Sequence, residues 1–169
     1  MVWNNKNIFS IIFVVFGLTS CGIYSFTGAA VSPDTKTISV DYILNESGQG
    51  PPRLAQTFTE KLRDYYQSNS SLKLVKQDGD LQVTGNIVGY EISPIAPTAN
   101  ELASSNRLTI RVDINFINTK DTTQNIKKQF SFYDDYNANQ SLSTVENDKI
   151  EVISTQIVFD IFNSTLANW

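Results

Sequence analysis

Histidine is missing from all 169 residues, and cysteine occurs once, at Cys21. The first absence excludes imidazole acid/base catalysis, Ser-His-Asp and Cys-His nucleophiles, and His-ligated zinc. The second excludes a disulfide within the chain. Charge is also scarce: Asp, Glu, Lys and Arg make up 18% of the residues, against a usual ~25%. The formal net charge of −4 argues against a nucleic-acid partner, which would call for a basic patch. Amides and hydroxyls take the place of charge, with 16 Asn, 17 Ser, 15 Thr and 9 Gln. At 41% hydrophobic residues the chain can still build a core, and its length fits one domain. Carboxylates are the only catalytic material left. Asp78-Gly79-Asp80 and Asp134-Asp135 are the dense groups, yet adjacent carboxylates in an extended segment face opposite ways, and no calcium-loop spacing surrounds them. No Gly-rich phosphate loop precedes a helix. Neither catalysis, a metal nor a cofactor is expected.

Residues 1–20 read as a signal peptide. Lys6 and the amino terminus precede an apolar run, Ile8 to Leu18, which suits a signal h-region and is too short to span a membrane. Leu18-Thr19-Ser20-Cys21 resembles the lipobox of bacterial lipoproteins. That resemblance implies cleavage before Cys21, diacylglyceryl transfer to its thiol and acylation of the new amino terminus. More than one acyl chain makes such an anchor stable. An ordinary signal peptide followed by an incidental Cys is the alternative. Gly22, in place of an Asp, favours the outer membrane. Residues 21–35, rich in Gly, Ser, Thr and Ala, read as a lipidated tether, and 36–169 as a single domain.

Within that domain Ile38, Val40 and Tyr42 alternate on one strand face. After Pro51-Pro52, the residues Leu54, Phe58, Leu62 and Tyr65 define one helix face. A short strand, Leu72 to Val75, turns at Asp78-Gly79 into a longer one from Leu81 to Ser93. Its inward parity changes midway, where Gly85 and Gly89 suit a bulge. Pro94 to Ser105 reads as a loop, and Asn45 to Pro52 as another; both are long enough for contact roles. Leu108, Ile110, Val112, Ile114 and Phe116 alternate strictly, and Ile126, Phe130 and Phe132 point inward from a further strand. Ser143 to Glu146 matches a capping box ahead of a helix striped by Ile150, Ile153, Ile157, Val158 and Ile161. The order β-α-β-β-β-β-α predicts an α+β fold: an antiparallel sheet of four to five strands, both helices on one face, the other face free.

That free face is expected to show Thr84 and Asn86, then Thr109, Arg111, Asp113 and Asn115, then Lys127, Gln129, Ser131 and Tyr133. Arg107 and Arg111, four apart on one strand, point the same way. With Lys127 and Lys128 they form a candidate cationic group, and Arg suits phosphate because its planar fork donates two bonds. The other account of these cations is pairing with Asp113 and solvation. Lys128 sits on apolar parity, which marks either a frayed strand start or a turn outward. Arg107, Thr109, Arg111, Lys127, Lys128 and Gln129 are the candidate partner-binding residues, alongside Cys21 for lipidation.

Several stretches resemble one family, the LptE-type lipopolysaccharide-assembly lipoproteins in their Bacteroidetes form. They are Cys21 to Gly28, Gln56 to Glu60, Gly79-Asp80-Leu81 running to Gly89-Tyr90, Asn106 to Ile110, and Asp160 to Asn163 continuing to Asn168-Trp169. The resemblance implies an outer-membrane lipoprotein that plugs the β-barrel LptD, helps it fold and assists lipopolysaccharide transport to the outer leaflet. Some members bind lipopolysaccharide through basic side chains. A different class also fits the residues: a stand-alone envelope lipoprotein binding a small amphiphile or glycan.

Overall fold

The structure, a computed structural model, describes residues 34–96 and 104–167. Cys21 and the expected signal peptide and tether up to residue 33 lie outside the described residues. The elements are β1 Thr37–Val40, β2 Leu44–Asn45, α1 Leu54–Asn69, β3 Lys73–Val75, β4 Leu81–Ile95, β5 Ser105–Asn118, β6 Ile126–Asn137 and α2 Leu142–Phe162. A 3-10 turn, Thr122–Gln124, precedes β6, and a π turn, Asn163–Ala167, follows α2. The strands form one sheet in the order β3-β1-β4-β5-β6, with β2 also paired to β4. The fold is α+β, with both helices over one sheet face.

The helices form where the sequence supplies a 3.6-residue apolar period. Leu54, Phe58, Leu62 and Tyr66 bury one stripe of α1. Tyr66 therefore takes the place expected for Tyr65, which is partly buried and stands edge-on to Phe162 at 5.2 Å and 72°. On α2 the expected residues Ile150, Ile153, Ile157, Val158 and Ile161 are all buried. Lys61 ties the helices together through Glu151 and Thr155. The expected capping box does not form. The helix starts at Leu142 behind Ser141, with no side-chain cap, because Glu146 instead accepts the Tyr90 hydroxyl at 2.5 Å. Burial, and then that carboxylate, pushes the Tyr90 pKa up.

β4, β5 and β6 form the expected antiparallel body, running from Leu81↔Asn118 to Ile95↔Ser105 and from Ser105↔Asn137 to Phe116↔Ile126. The anticipated parity change on β4 falls between Ile87 and Gly89, where Val88 is the extra residue. The short strands join differently. β1 and β2 pair with β4 in parallel, and β3 pairs with β1 in parallel, so the sheet as a whole is mixed. Asp78-Gly79 is consequently no hairpin turn. It belongs to a five-residue crossing, 76–80, that passes over β1 from one parallel neighbour to the other.

The step from β1 to β2 corrects a second expectation. Val40 is level with Val83 and Leu44 with Asn86, so this side carries one more residue than β4. Parity flips. Ile43 enters the core, and Tyr42 remains 48% exposed. α1 holds the irregularity: Arg63 donates twice to the Val40 carbonyl, at 3.0 and 2.6 Å, and Thr59 Oγ1 accepts from Ile43 N at 3.0 Å.

Candidate functional site

The sheet face turned away from the helices is the candidate site. Register places Thr84 beside Asn115, Asn86 beside Asp113, Thr109 beside Tyr133, Arg111 beside Ser131, Asp113 beside Gln129 and Asn115 beside Lys127. These are the residues that alternation assigned to the free face. Their partners on the helix side, such as Ile110, Val112 and Ile114, are buried.

Neither arginine on this face is free. Arg107 grips Asp135 with two bonds, Nε to Oδ1 at 2.8 Å and Nη2 to Oδ2 at 2.9 Å, and its guanidinium lies 3.5 Å from the centre of the Tyr133 ring. The Arg107 hydrogen bonds hold the Asp135 carboxyl below its ordinary value. Arg111 pairs with Glu91, not with Asp113, and lowers the Glu91 pKa by the same cause. Gly89 makes this second pair possible. A Cβ there would meet the Arg111 side chain at 2.8 Å, so the missing side chain lets the guanidinium lie across β4. Asp113 instead accepts from Gln129 Nε2 at 2.8 Å. The face thus presents planar, hydrogen-bonded pairs in which both arginine charges are met by carboxylates.

Arg107, Thr109, Arg111, Lys127 and Gln129 share the open face, yet the cations do not converge. Arg111 is level with Ser131 and Lys127 with Asn115, four residue steps or about 13 Å apart along the sheet. Lys128 is level with Ile114, on the helix side, where its ammonium stands 5.0 Å from the Phe130 ring centre.

An open groove of about 610 Å³ crosses the face from Tyr42 and Asp41 past Thr84, Asn86 and Asn115 to Lys127 and Gln129. Tyr42 is the residue that reading by alternation missed. Its parity follows from register against β4, and nothing in the local sequence signals it. No group of three His, Cys, Asp or Glu able to hold a metal exists among the described residues. No described helix is long and apolar enough to cross a membrane.

One face closed by two helices and the other open and polar, its arginines paired with carboxylates, define a small α+β domain. The family model LptE, described as lipopolysaccharide-assembly, matches residues 35–165. The chain belongs to the LptE family. A search of curated proteins finds no match. Among solved structures, the hypothetical protein CT253 from Chlamydia trachomatis is similar, with a TM-score of 0.53 and 12% identity, covering 79% of this chain and 99% of that one. The rare lipoprotein B from Shewanella oneidensis gives 0.49 and 12%, covering 76% and 92%. A minor lipoprotein from Acinetobacter baumannii gives 0.47 and 13%, covering 77% and 93%. At these identities the CT253 likeness speaks for the fold.

Proposed function

We propose that this LptE-family chain is a non-enzymatic outer-membrane lipoprotein, anchored through acylated Cys21, that plugs an LptD-type β-barrel. In that position it assists assembly of the barrel and passage of lipopolysaccharide to the outer leaflet. The open sheet face carries this reading. Its amides, hydroxyls and locked pairs, Arg107–Asp135 and Arg111–Glu91, suit the polar lumen of a barrel, which offers hydrogen bonds and little room for loose charge. Arg107, Thr109, Arg111, Lys127 and Gln129 form the contact surface, and Lys128 serves at its border on the other side of β6.

Photocrosslinking in cells tests this directly. A crosslinking residue at Thr109 or Gln129 traps a barrel-sized partner, whereas one at Glu60, on the exposed side of α1, traps far less. Failure at every open-face position removes the plug assignment. Arg107→Gln combined with Arg111→Gln lowers surface lipopolysaccharide and leaves the urea midpoint of the protein nearly unchanged, because exposed ion pairs contribute little to folding.

The groove beside Tyr42 favours a second reading, a stand-alone envelope protein that binds a small amphiphile or glycan with Tyr42, Asn86, Asn115 and Gln129. Micromolar binding to the purified full chain in detergent, without any barrel present and abolished by Tyr42→Ala, would select it.

A further inference from the structure

β6 ends the sheet, and no described residue pairs with its outer edge. It is the longest of the edge strands, twelve residues against three for β3 and two for β2, and it carries neither proline nor glycine. Proteins commonly blunt such an edge with charge, because a bare strand templates pairing with another chain. Here the charges have an order. From Lys127 to Asp135 the strand reads Lys-Lys-Gln-Phe-Ser-Phe-Tyr-Asp-Asp. Around Ser131, Phe130 mirrors Phe132, Gln129 mirrors Tyr133, and the two lysines mirror the two aspartates.

We infer that β6 pairs antiparallel with β6 of a second copy of this chain, about a two-fold axis at Ser131. In that register Lys127 opposes Asp135 of the other copy on the open face, and Lys128 opposes Asp134 on the helix side. Each member of a pair lies on the same side of the sheet as its opposite, as β6 pairing to β5 fixes it. Four cross-strand ion pairs form per dimer. A slip of one residue sends every pair to opposite faces. A slip of two sets lysine against tyrosine, or aspartate against an uncharged residue. Parallel pairing aligns like charges. Only one register is self-complementary, as an isologous interface requires.

The side chains are ready for it. Lys127 and Lys128 make no ion pair among the described residues. Asp134 and Asp135 are held in place by Lys149 and Arg107 and retain lone pairs for a second donor. α2 lies over β6 and, less fully, over β5, so the two α2 copies face each other across the new strand pair. This state of the free protein stands independently of the barrel reading.

The test is disulfide trapping of the full-length protein in detergent, with no barrel protein present. Cys21 is the single native cysteine, so the unsubstituted chain sets the baseline. Ser131→Cys places two thiols opposite each other and gives a disulfide-linked dimer under oxidation; Lys76→Cys, exposed at the start of the 76–80 crossing, does not. Gln129→Cys links only when co-expressed with Tyr133→Cys. Adding Lys127→Glu and Lys128→Glu to Ser131→Cys lowers the dimer yield about tenfold. Baseline yield from Ser131→Cys, linkage to a different protein, or a yield indifferent to the two charge reversals overturns the proposal.

Discussion

Thr37 and Asp80, 43 residues apart, hydrogen-bond each other in both directions. The Thr37 hydroxyl donates to Asp80 Oδ2 at 2.8 Å, and Asp80 N donates back to Thr37 Oγ1 at 2.9 Å. The same carboxylate accepts from the backbone of Lys36 and Thr37 and lies 3.2 Å from the Lys120 ammonium. One side chain therefore joins the start of β1, the start of β4 and the turn after β5.

Those donors, the Lys36 backbone foremost, hold the Asp80 pKa well below its ordinary 3.8. A pKa lower in the folded than in the unfolded chain means that ionised Asp80 contributes its full stabilisation above the ordinary carboxylate value. The contribution is lost as pH falls below about 4. Asp80→Asn should cost about 1–2 kcal/mol at neutral pH through its charge-assisted bonds. Urea melts across a pH series should show the variant losing less stability on acidification than the parent chain.

Gly79 is fixed by close approach. A Cβ there would lie 2.5 Å from Ser39 N and 2.7 Å from both Ile38 C and Leu81 O, all backbone atoms that cannot swing aside. Gly79→Ala should destabilise by about 2 kcal/mol or more. Native-state hydrogen exchange should report the loss first at β1 and β3. Gly48, where a Cβ meets nothing within 4 Å, is the contrasting site: Gly48→Ala carries only the strain of its positive φ.

Tyr66 and Thr165 meet at 2.7 Å in the core, α1 against the chain beyond α2. Thr165 Oγ1 also donates to the Ile161 carbonyl at 2.9 Å, so the tyrosine hydroxyl is the donor between the two. Tyr66→Phe removes that donor and leaves the threonine bonded, for a cost of about 1 kcal/mol. Tyr66→Ala opens a cavity as well and should cost about 3–5 kcal/mol. Chemical denaturation of the two variants separates the hydrogen bond from the packing.

Local periodicity carried much of the architecture. Strict alternation from Leu108 to Phe116 assigned both faces of β5, and the stripe from Ile150 to Ile161 assigned the inner side of α2. The parity break on β4 marked its bulge near Gly89 before any partner strand was known. These signals work because a strand repeats every two residues and a helix every 3.6, whatever they later touch. The misassignments fall where a distant segment decides. Tyr42 left the core because β1 and β2 count one residue more than β4. Glu146 left its expected cap because Tyr90 lies within reach across the fold. Arg111 chose Glu91 because Gly89 leaves its path clear.

Sequence alone established that this chain has no imidazole and no internal disulfide, that it builds two helices against a sheet, and which residues share the open face. The tertiary structure decided that β1 and β3 enter the sheet in parallel, that both arginines on the open face are already held by carboxylates, and that β6 is left as the long edge. Composition and alternation are properties of neighbouring residues, set by covalent geometry. Strand pairing, register and ion-pair choice join residues tens of positions apart, and only the folded packing selects among them.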